Sequence, residues 1–542
     1  MKKVLITSSS FLFPKNTSWS ILENNYKLSF GQYNDIFDLH SINKNIDFKV
    51  IAFFFKDFFL NSNDIHDKEK INFFIDSLQQ KLKNSSTPVL FFYSYYFKVS
   101  IIKDANLNLK EYHLFQYFLN NLKKIRLQHD NFYFFDLDKE FSLHGFIKCF
   151  DRRNWYIGRC NLTSFGLEIL AQGILKVLNR IQNTNHKVLV LDCDNTLWGG
   201  VAGEDSLSKI ILGNDGYGST FVDFQKSLKK LSKEGILLVL CSKNNENDIW
   251  NIFDNHKSMI LNKKDIVTHR INWSDKSKNI IDISKELDLA LDSFVFWDDN
   301  PIEREKVKVN LPQVLTVDVP LDTSYWSEEL DALDCFAKFK ISKEDLNKVK
   351  QYKIRSKFIK DKTLMSNEAL FLKKIKLKAE LIEIDKSTIS RASQLTLKTN
   401  QFNISCKKYS VSELDILKKK KNYNMFLVNL KDIYGDHGLV GLLIYKKLEN
   451  NNIFLDTFLL SCRVLGRYLE TWMLNQIFIK NINLNDISIT TRYVKNKRNQ
   501  QVKLFLTKHG FKMSKGLKNK KNESHFSLKK KESIFNNINV YE

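Results

Sequence analysis

The chain has 542 residues, which at roughly 150 residues per domain predicts about three or four domains and excludes a single core. With 43% hydrophobic residues, 5 prolines and 18 glycines, it is expected to be globular, without long disordered linkers. The net charge of +23 would suit an acidic partner, but lysine is abundant everywhere, so a general composition bias explains it better than a dedicated binding face. The one concentrated basic block is the tail, Lys515 to Lys531.

The seven cysteines are widely spaced and include no Cys-x-x-Cys pair, which argues against a disulfide framework or a structural zinc site. A reducing cytosol is therefore the expected location. Met1-Lys2-Lys3 and the following apolar residues imitate a signal peptide, but Ser8 to Ser10 interrupt them too early. We predict a first buried strand there, and no segment is apolar enough to predict a membrane span.

Residues 1–183 begin with a predicted strand, Val4–Thr7, alternate strand-like and helical runs, and close on a helical pattern at Phe165–Leu178. That order predicts an α/β domain. The polar break Asn183-Thr184-Asn185 marks its end.

Regularly spaced strands and helices follow in residues 184–341. The predicted strands are Val188–Leu191, Ile236–Leu240 and Phe294–Phe296, and helical patterns at Phe221–Lys233 and Ile280–Leu287 lie between them. Right-handed crossovers can join such strands into a parallel sheet covered on both faces. The sequence thus predicts a second α/β domain.

Residues 342–542 are predicted to form a third domain of the α+β class. Ser342-x-x-Asp345 has the form of a capping box that opens a linking helix. Several strand-like runs follow, and then a helix; they are Met425–Leu430, Gly441–Tyr445, Phe454–Leu460 and the helix Tyr468–Phe478.

Each predicted central strand ends in polar residues, and ligands of such sheets bind beyond the carboxyl ends of the strands. These residues are Asp192 and Asp194, Ser242-Lys243-Asn244, and Asp298-Asp299-Asn300. Four converging carboxylates would repel one another unless a cation lay among them, and oxygen ligands without a Cys/His cluster favour Mg²⁺. We predict that Asp192, Asp194, Asp298 and Asp299 bind it.

These strand ends also carry the groups that phosphoryl transfer needs. Asp192 could attack a phosphoryl group, and Asp194 could pass a proton to the leaving oxygen. Ser242 and Lys276 could bind the equatorial oxygens of the transferring group. An isolated Asp-x-Asp-x-Thr is more often a turn or cap, but the ordered set of strand ends favours the catalytic interpretation. Leu197 stands where an EF-hand loop needs glycine, which excludes a calcium loop of that kind.

The motifs resemble those of the haloacid dehalogenase superfamily, specifically its FkbH-like (HAD-IIIC) branch. The four central matches are Leu191-Asp192-Cys193-Asp194-Asn195-Thr196-Leu197-Trp198-Gly199-Gly200-Val201, Ser242-Lys243-Asn244-Asn245, Ile271-Asn272-Trp273 with Lys276, and Asp298-Asp299-Asn300-Pro301-x-Glu303-Arg304-Glu305. The C-terminal matches are Lys398-Thr399-Asn400-Gln401-Phe402-Asn403, Gly435-Asp436-His437-Gly438 and Leu460-Ser461-Cys462-Arg463-Val464-Leu465-Gly466-Arg467.

The resemblance implies an enzyme that takes 1,3-bisphosphoglycerate, removes phosphate and loads the glyceryl group onto the phosphopantetheine thiol of an acyl carrier protein. It also implies that Thr196 and Asn244 contact the substrate and that a cysteine carries a thioester. Cys193 and Cys462 are the candidates. Cys193 lies between two aspartates whose field would raise its pKa, so we favour Cys462, although a buried hydrophobe is an equally good interpretation of either.

The two outer domains also carry resemblances. The C-terminal domain looks like a GNAT acetyltransferase fold, in which Arg463, Gly466 and Arg467 would hold a pantetheine or coenzyme A phosphate. His437 is a candidate general base, but a structural role is the more common one for a lone histidine in a glycine-rich turn. The N-terminal domain looks like an SGNH hydrolase whose base is missing, because Asn161 stands at the histidine position; we expect it to be non-catalytic.

Two other functions fit the same sequence. A plain small-molecule phosphatase would release phosphate without any carrier protein and would not need Cys462. A nucleic-acid-binding protein with a vestigial site would explain the charge, but the aromatic residues form apolar runs instead of basic and aromatic stripes. We rank nucleic-acid binding last.

Overall fold

The computed structural model describes residues 1–36, 46–59, 67–83, 85, 87–95, 110–182, 186–339, 343–365, 367–481, 487–496, 499–513 and 523–529. The chain divides into two compact units, Met1–Thr184 and Asn185–Glu542. The predicted break at 183–185, residue Ser342 and most of the basic tail lie outside the described residues.

The first unit contains a five-stranded parallel sheet in the order β2-β1-β3-β4-β5. Its strands are β1 (Lys2–Ser8), β2 (Tyr26–Phe30), β3 (Phe48–Phe54), β4 (Val89–Ser94) and β5 (Phe132–Asp136). Its described helices are α1 (Ser20–Glu23), α2 (Phe55–Phe59), α3 (Asp67–Lys83), α4 (Lys110–Gln128), α5 (Leu137–His144), α6 (Phe146–Cys149), α7 (Arg152–Gly158) and α8 (Ser164–Gln182). Separate apolar clusters pack on the two faces of the sheet, as both faces of a parallel sheet must be covered.

The second unit contains two sheets. The first is parallel, in the order β10-β9-β6-β7-β8. It is built from β6 (Val188–Leu191), β7 (Leu237–Ser242), β8 (Ile266–Ile271), β9 (Phe294–Trp297) and β10 (Leu315–Thr316). The helices around it are α9 (Tyr217–Lys233), α10 (Glu246–Asn255), α11 (Lys276–Leu287), α12 (Pro301–Asn310) and α13 (Trp326–Ala332).

The other sheet is mixed and eight-stranded, with the path β11-β13-β14-β15-β16-β18-β17 and β12 paired to β15. It comprises β11 (Lys378–Glu383), β12 (Phe402–Asn403), β13 (Tyr423–Asp432), β14 (Gly435–Lys447), β15 (Asn452–Leu460), β16 (Ser488–Val494), β17 (Lys512–Met513) and β18 (Glu523–Lys529). The β15–β16 pair is parallel and its other pairs are antiparallel. The remaining described helices are α14 (Lys343–Leu364), α15 (Glu368–Lys374), α16 (Ile389–Lys398), α17 (Val411–Lys418), α18 (Leu469–Ile479) and α19 (Gln500–Lys508).

The predicted multidomain α/β class with parallel sheets is confirmed, and the strands and helices named from the sequence form within six residues of their predicted bounds. Strand β8 was not among the predicted apolar runs, because His269 and Arg270 interrupt its hydrophobic pattern. All seven cysteines lie among the described residues, and none of them forms a disulfide there. Among the described residues, no helix is both long and apolar enough to cross a membrane.

Candidate functional site

Three carboxylates meet at the carboxyl edge of the parallel sheet of the second unit. Asp192 directly follows β6, and Asp298 and Asp299 directly follow the neighbouring strand β9. One oxygen from each of the three lies within 4.8 Å of the others. Asp192 and Asp298 are buried, so their charges are poorly screened by water. The strand order therefore concentrates negative charge at one point.

Lys276, the first residue of α11, partly neutralises this charge. Its Nζ lies 3.0 Å from Asp192 Oδ1 and 2.6 Å from Asp298 Oδ2. Burial alone would lower the pKa of Lys276, but the two carboxylates outweigh it and raise that pKa, so the ammonium stays charged. One cation cannot balance three carboxylates, and burial together with Asp192 raises the pKa of Asp298 to about 7.

The chemistry of this cluster fits a divalent cation. Burial and the Asp192 charge also raise the pKa of Asp299. The electrostatic repulsion between carboxylates held this close together is reduced when a hard cation binds their oxygens. The described residues bring no cysteine or histidine into the group, so soft metals are not favoured.

Asp194 is held apart from the three carboxylates by neutral donors. Its Oδ1 accepts from the Trp198 indole at 3.1 Å and from the Ala202 amide at 2.9 Å, while its Oδ2 accepts from Asn244 Nδ2 at 2.6 Å. Burial raises its pKa. The predicted metal-binding set is therefore corrected, because the Asp194 side chain lies outside the group of Asp192, Asp298 and Asp299. The raised pKa of Asp194 suits the predicted proton transfer better than metal binding.

The turn after β6 gives Asp194 this direction. Asn195 has a left-handed φ of 52° and Gly200 a φ of 104°, conformations that asparagine and glycine tolerate best. The Asn195 side chain accepts from the Gly200 amide at 3.0 Å and closes the turn. The chain thus doubles back so that Trp198 and Ala202 can reach Asp194.

The loop after β9 is fixed by residues to which the sequence assigned no role. Arg304 donates from one nitrogen to the carbonyl oxygens of Asp298 and Asp299, both at 2.7 Å. Asn300 caps α12 by accepting from the Ile302 amide at 2.9 Å, with Pro301 in the first turn. The signal was present in the sequence, since an arginine one turn into a helix can reach back to the carbonyls before it.

Thr196 and Ser242 lie beside the cluster. Thr196 Oγ1 donates to Asp299 Oδ1 at 3.0 Å, so it orients a carboxylate in this structure. Ser242 is buried at the end of β7 and hydrogen-bonds the Cys193 thiol. Cys193 packs in the apolar core, and burial, then the charges of Asp192 and Asp194, raise its pKa well above the ordinary value. A buried, protonated thiol is a poor nucleophile.

Cys462 lies at the other end of α11 from Lys276. Its carbonyl accepts from Arg355 at 2.7 Å, and the same guanidinium lies 3.4 Å from Asp288, the residue that follows α11. The 12 residues of α11 span about 18 Å at 1.5 Å per residue. The thiol itself contacts the buried Tyr352 hydroxyl at 3.4 Å. The structure therefore does not bring Cys462 together with Asp192.

The motif around Gly466 also differs from its predicted role. Arg467 is fully buried, stacks 3.8 Å from the centre of the Phe358 ring and lies 3.0 Å from Asp432. A buried and paired guanidinium cannot reach a soluble phosphate. The predicted substrate-binding set is therefore corrected by removing Arg467 from it. His437 is 2% exposed and lies 2.9 Å from the same Asp432, which supports the structural role over the general base.

Arg463 and Gly466, unlike Arg467, are at least partly accessible to solvent. Arg463 is half-buried and donates to the His437 carbonyl at 3.0 Å. Gly466 is exposed and has a left-handed φ of 86°. Tyr468, which opens α18, is also left-handed at 59°, a conformation that favours a smaller residue. The binding of a phosphate by this turn stays a prediction.

The first unit contains a carboxylate that sequence reasoning missed. Asp57 accepts from Ser10 Oγ at 2.6 Å and from Asn161 Nδ2 at 2.9 Å, and burial raises its pKa to about 6. An acceptor for the serine proton is therefore present, although Asn161 stands at the histidine position and the sequence predicted that no base is available. However, the amides of Ser9, Ser10 and Phe11 are all hydrogen-bonded, so they do not form an oxyanion hole. A non-catalytic role stays a prediction.

A solved structure resembles much of this chain. It is the N-terminal part of the protein BF1531 from Bacteroides fragilis, described as containing a phosphatase domain complexed with Mg. The two are 26% identical with a TM-score of 0.56, over 62% of this chain and 94% of that one. This chain shares a phosphatase fold. The similarity supports an enzyme, while the FkbH-like resemblance stays a prediction.

Other similar structures are acetyltransferases. One is from Thermus thermophilus, with a TM-score of 0.23 and 16% identity over 29% of this chain and 99% of that one. Another is of the GNAT family, from Staphylococcus aureus, with a TM-score of 0.22 and 12% identity over 28% and 98%. Scores this low carry no information about activity. No protein-family model and no curated protein sequence matches the chain.

Proposed function

We propose that the protein is a Mg²⁺-dependent enzyme of the haloacid dehalogenase type that removes phosphate from a phosphorylated three-carbon donor and passes its glyceryl group to the thiol of an acyl carrier protein. The observation that carries the phosphoryl-transfer part is the group of Asp192, Asp298 and Asp299 around Lys276. The similarity to a phosphatase domain crystallised with Mg supports the same part. The glyceryl and carrier assignments rest on the motif resemblance.

At the phosphate ester, Asp192 is the nucleophile. Its carboxylate attacks phosphorus, the bond to the ester oxygen breaks, and Asp194 supplies the proton that the leaving oxygen needs. The raised pKa of Asp194 favours the protonated form that this step requires. Water then hydrolyses the aspartyl-phosphate, with Asp194 taking the proton back. When bound, Mg²⁺ would be held by Asp192, Asp298 and Asp299 and would offset the phosphate charge.

At the acyl phosphate, the carrier thiolate is the nucleophile. It attacks the carbonyl carbon, the carbon–oxygen bond to phosphate breaks, and inorganic phosphate leaves. The transfer thus yields a glyceryl thioester and two phosphates from one bisphosphorylated donor. The placement of Cys193 in the core, and of Cys462 beyond the far end of α11, favours direct use of the carrier thiol over an enzyme cysteine at the Asp192 site.

Metal binding should strengthen as the pH rises through about 7. The pKa of Asp298 is raised from an ordinary 3.8 to about 7, so its contribution to the stability of the metal-free protein is present below about 4 and is lost as the pH rises through 7. Mg²⁺ binds the ionised form and restores that loss. We expect the rise in Tm caused by Mg²⁺ to be larger at pH 8 than at pH 6, as measured by differential scanning fluorimetry against EDTA. In Asp298→Asn the dependence on pH should largely disappear; an unchanged dependence would assign it to another group.

The proposed function is tested on the mass of the carrier. The protein is incubated with Mg²⁺, 1,3-bisphosphoglycerate and holo-acyl carrier protein, and the intact carrier is analysed by mass spectrometry. We expect a glyceryl-sized gain that is absent with Asp192→Asn. Cys462→Ala should retain the gain if the carrier thiol reacts directly, and should abolish it if Cys462 carries a thioester.

A plain phosphatase without acyl transfer is the second candidate, favoured by the similarity to a phosphatase domain. It predicts phosphate release at the same rate with and without carrier, and a carrier of unchanged mass. That result would refute the acyl-transfer part and leave the phosphoryl-transfer part intact.

A further inference from the structure

Among the described residues, Trp273 is the most exposed tryptophan, and it lies three residues before Lys276. Its side chain is 71% exposed, although tryptophan is usually well buried because its ring gains much from leaving water. It belongs to the short loop between β8 and α11, and α11 begins three residues later with Lys276. An indole is therefore presented to solvent at the rim of the site.

The loop that carries Trp273 is held by hydrogen bonds on both sides of the tryptophan. The Asn272 amide donates to the Ser242 carbonyl at 3.1 Å, and Asn272 Oδ1 accepts from the Ser274 amide at 2.9 Å and from Asn279 Nδ2 at 3.0 Å. Asp275 caps α11 by accepting from the Ser277 and Lys278 amides. The backbone on both sides of Trp273 is thus fixed, which holds the indole out of the core.

The indole is also oriented towards the loop after β7. Its Nε1 donates to Asn245 Oδ1 at 3.4 Å, and the neighbouring Asn244 holds Asp194. Ile302, just beyond the loop that carries Asp298, is a further apolar side chain at this edge and is 63% exposed. The site rim thus combines charged groups inside with exposed apolar groups outside.

We propose that Trp273 binds the pantetheine-like arm that delivers the acceptor thiol. This inference rests on the proposed function. A phosphorylated three-carbon donor is polar over nearly its whole surface and gains little from an indole, whereas Lys276 suits its phosphate. A thiol on a chain of methylene and amide groups must cross from solvent to the cluster. The face of an indole packs against methylene and amide groups of that kind.

The kinetic test uses pantetheine as the thiol and 1,3-bisphosphoglycerate as the donor. Trp273→Ala should lower kcat/KM for pantetheine by about 10-fold or more, as the loss of an aromatic anchor does, and leave phosphate release without thiol unchanged. Trp273→Phe should retain most of the activity. Tyr325→Ala, which removes another exposed aromatic ring of the same unit, is the matched control and should change neither rate.

A binding test separates this inference from the proposed function. In protein labelled with 5-fluorotryptophan, Trp273→Phe identifies the Trp273 resonance, and roughly millimolar pantetheine should shift it while leaving that of the buried Trp297 unchanged. No shift, or a shift with 3-phosphoglycerate alone, would overturn the role of Trp273. A shift without any thioester product would instead refute the acyl transfer and retain the binding site.

Discussion

Asp192→Asn should reduce the release of the ester phosphate by at least about 10³-fold, because an amide cannot form the aspartyl-phosphate through which the phosphate ester is cleaved. The measurement is the single-turnover release of phosphate from 1,3-bisphosphoglycerate in saturating Mg²⁺. The fold should survive, since the substitution keeps the size of the side chain and removes one of two carboxylates that repel each other across Lys276.

The stability of this variant discriminates between loss of chemistry and loss of fold. We expect the metal-free Asp192→Asn protein to unfold at the same or a higher temperature than the parent protein. Burial and, after it, the Asp192 charge raise the pKa of Asp298, and the substitution removes the second of these two causes. Asp282→Asn, on the exposed side of α11, is the matched control and should keep full activity. Retained activity in Asp192→Asn would contradict the proposed mechanism.

Lys276→Met should destabilise the metal-free protein by about 3–5 kcal/mol, the usual cost of leaving buried charges without their partner. Lys276 has a side chain only 4% exposed and contacts both Asp192 and Asp298, so its loss leaves the cluster without its cation. The measurement is equilibrium unfolding in urea with EDTA, and Mg²⁺ should restore part of the loss. The effect should grow as the pH rises through 7, because more of the carboxylates are then ionised.

A second lysine of the same helix provides the control for this prediction. Lys285 is 73% exposed and pairs with Asp282 at 3.5 Å, so Lys285→Met should change the unfolding free energy by only about 0–1 kcal/mol. If the two variants were equally stable, the buried carboxylates would not depend on the Lys276 charge for their stability, contrary to the contacts in the structure.

The position of the carboxylates followed from the sequence. Short apolar runs predicted β6 and β9, and neighbouring parallel strands end at the same edge of a sheet, so Asp192, Asp298 and Asp299 had to converge. Lys276 was predicted as part of the ordered set of polar residues, although strand β8, which precedes its helix, was not among the predicted apolar runs. The convergence of the three carboxylates needs only the local period of the chain and the direction of its strands.

The direction of individual side chains was decided by tertiary structure. Asp194 lies two residues after Asp192, yet the turn at Asn195 and Gly200 points it to Trp198 and Asn244 instead of the cluster. The left-handed residues and their hydrogen bonds form only when the loop closes. Residue type and spacing could not exclude Asp194 from the metal-binding set.

Burial between distant segments was likewise decided by the fold. Arg467 pairs with Asp432, 35 residues earlier, and stacks on Phe358 from the linking helix, which removes it from solvent. Cys462 is held near Asp288 through Arg355, more than 100 residues away from it in sequence. Local periodicity carries no information about such contacts, because it describes which face of an element is buried and not which distant segment covers it. The sequence by itself thus determined the strands and the charges at their ends, and the packing of distant segments decided which of those groups a substrate can reach.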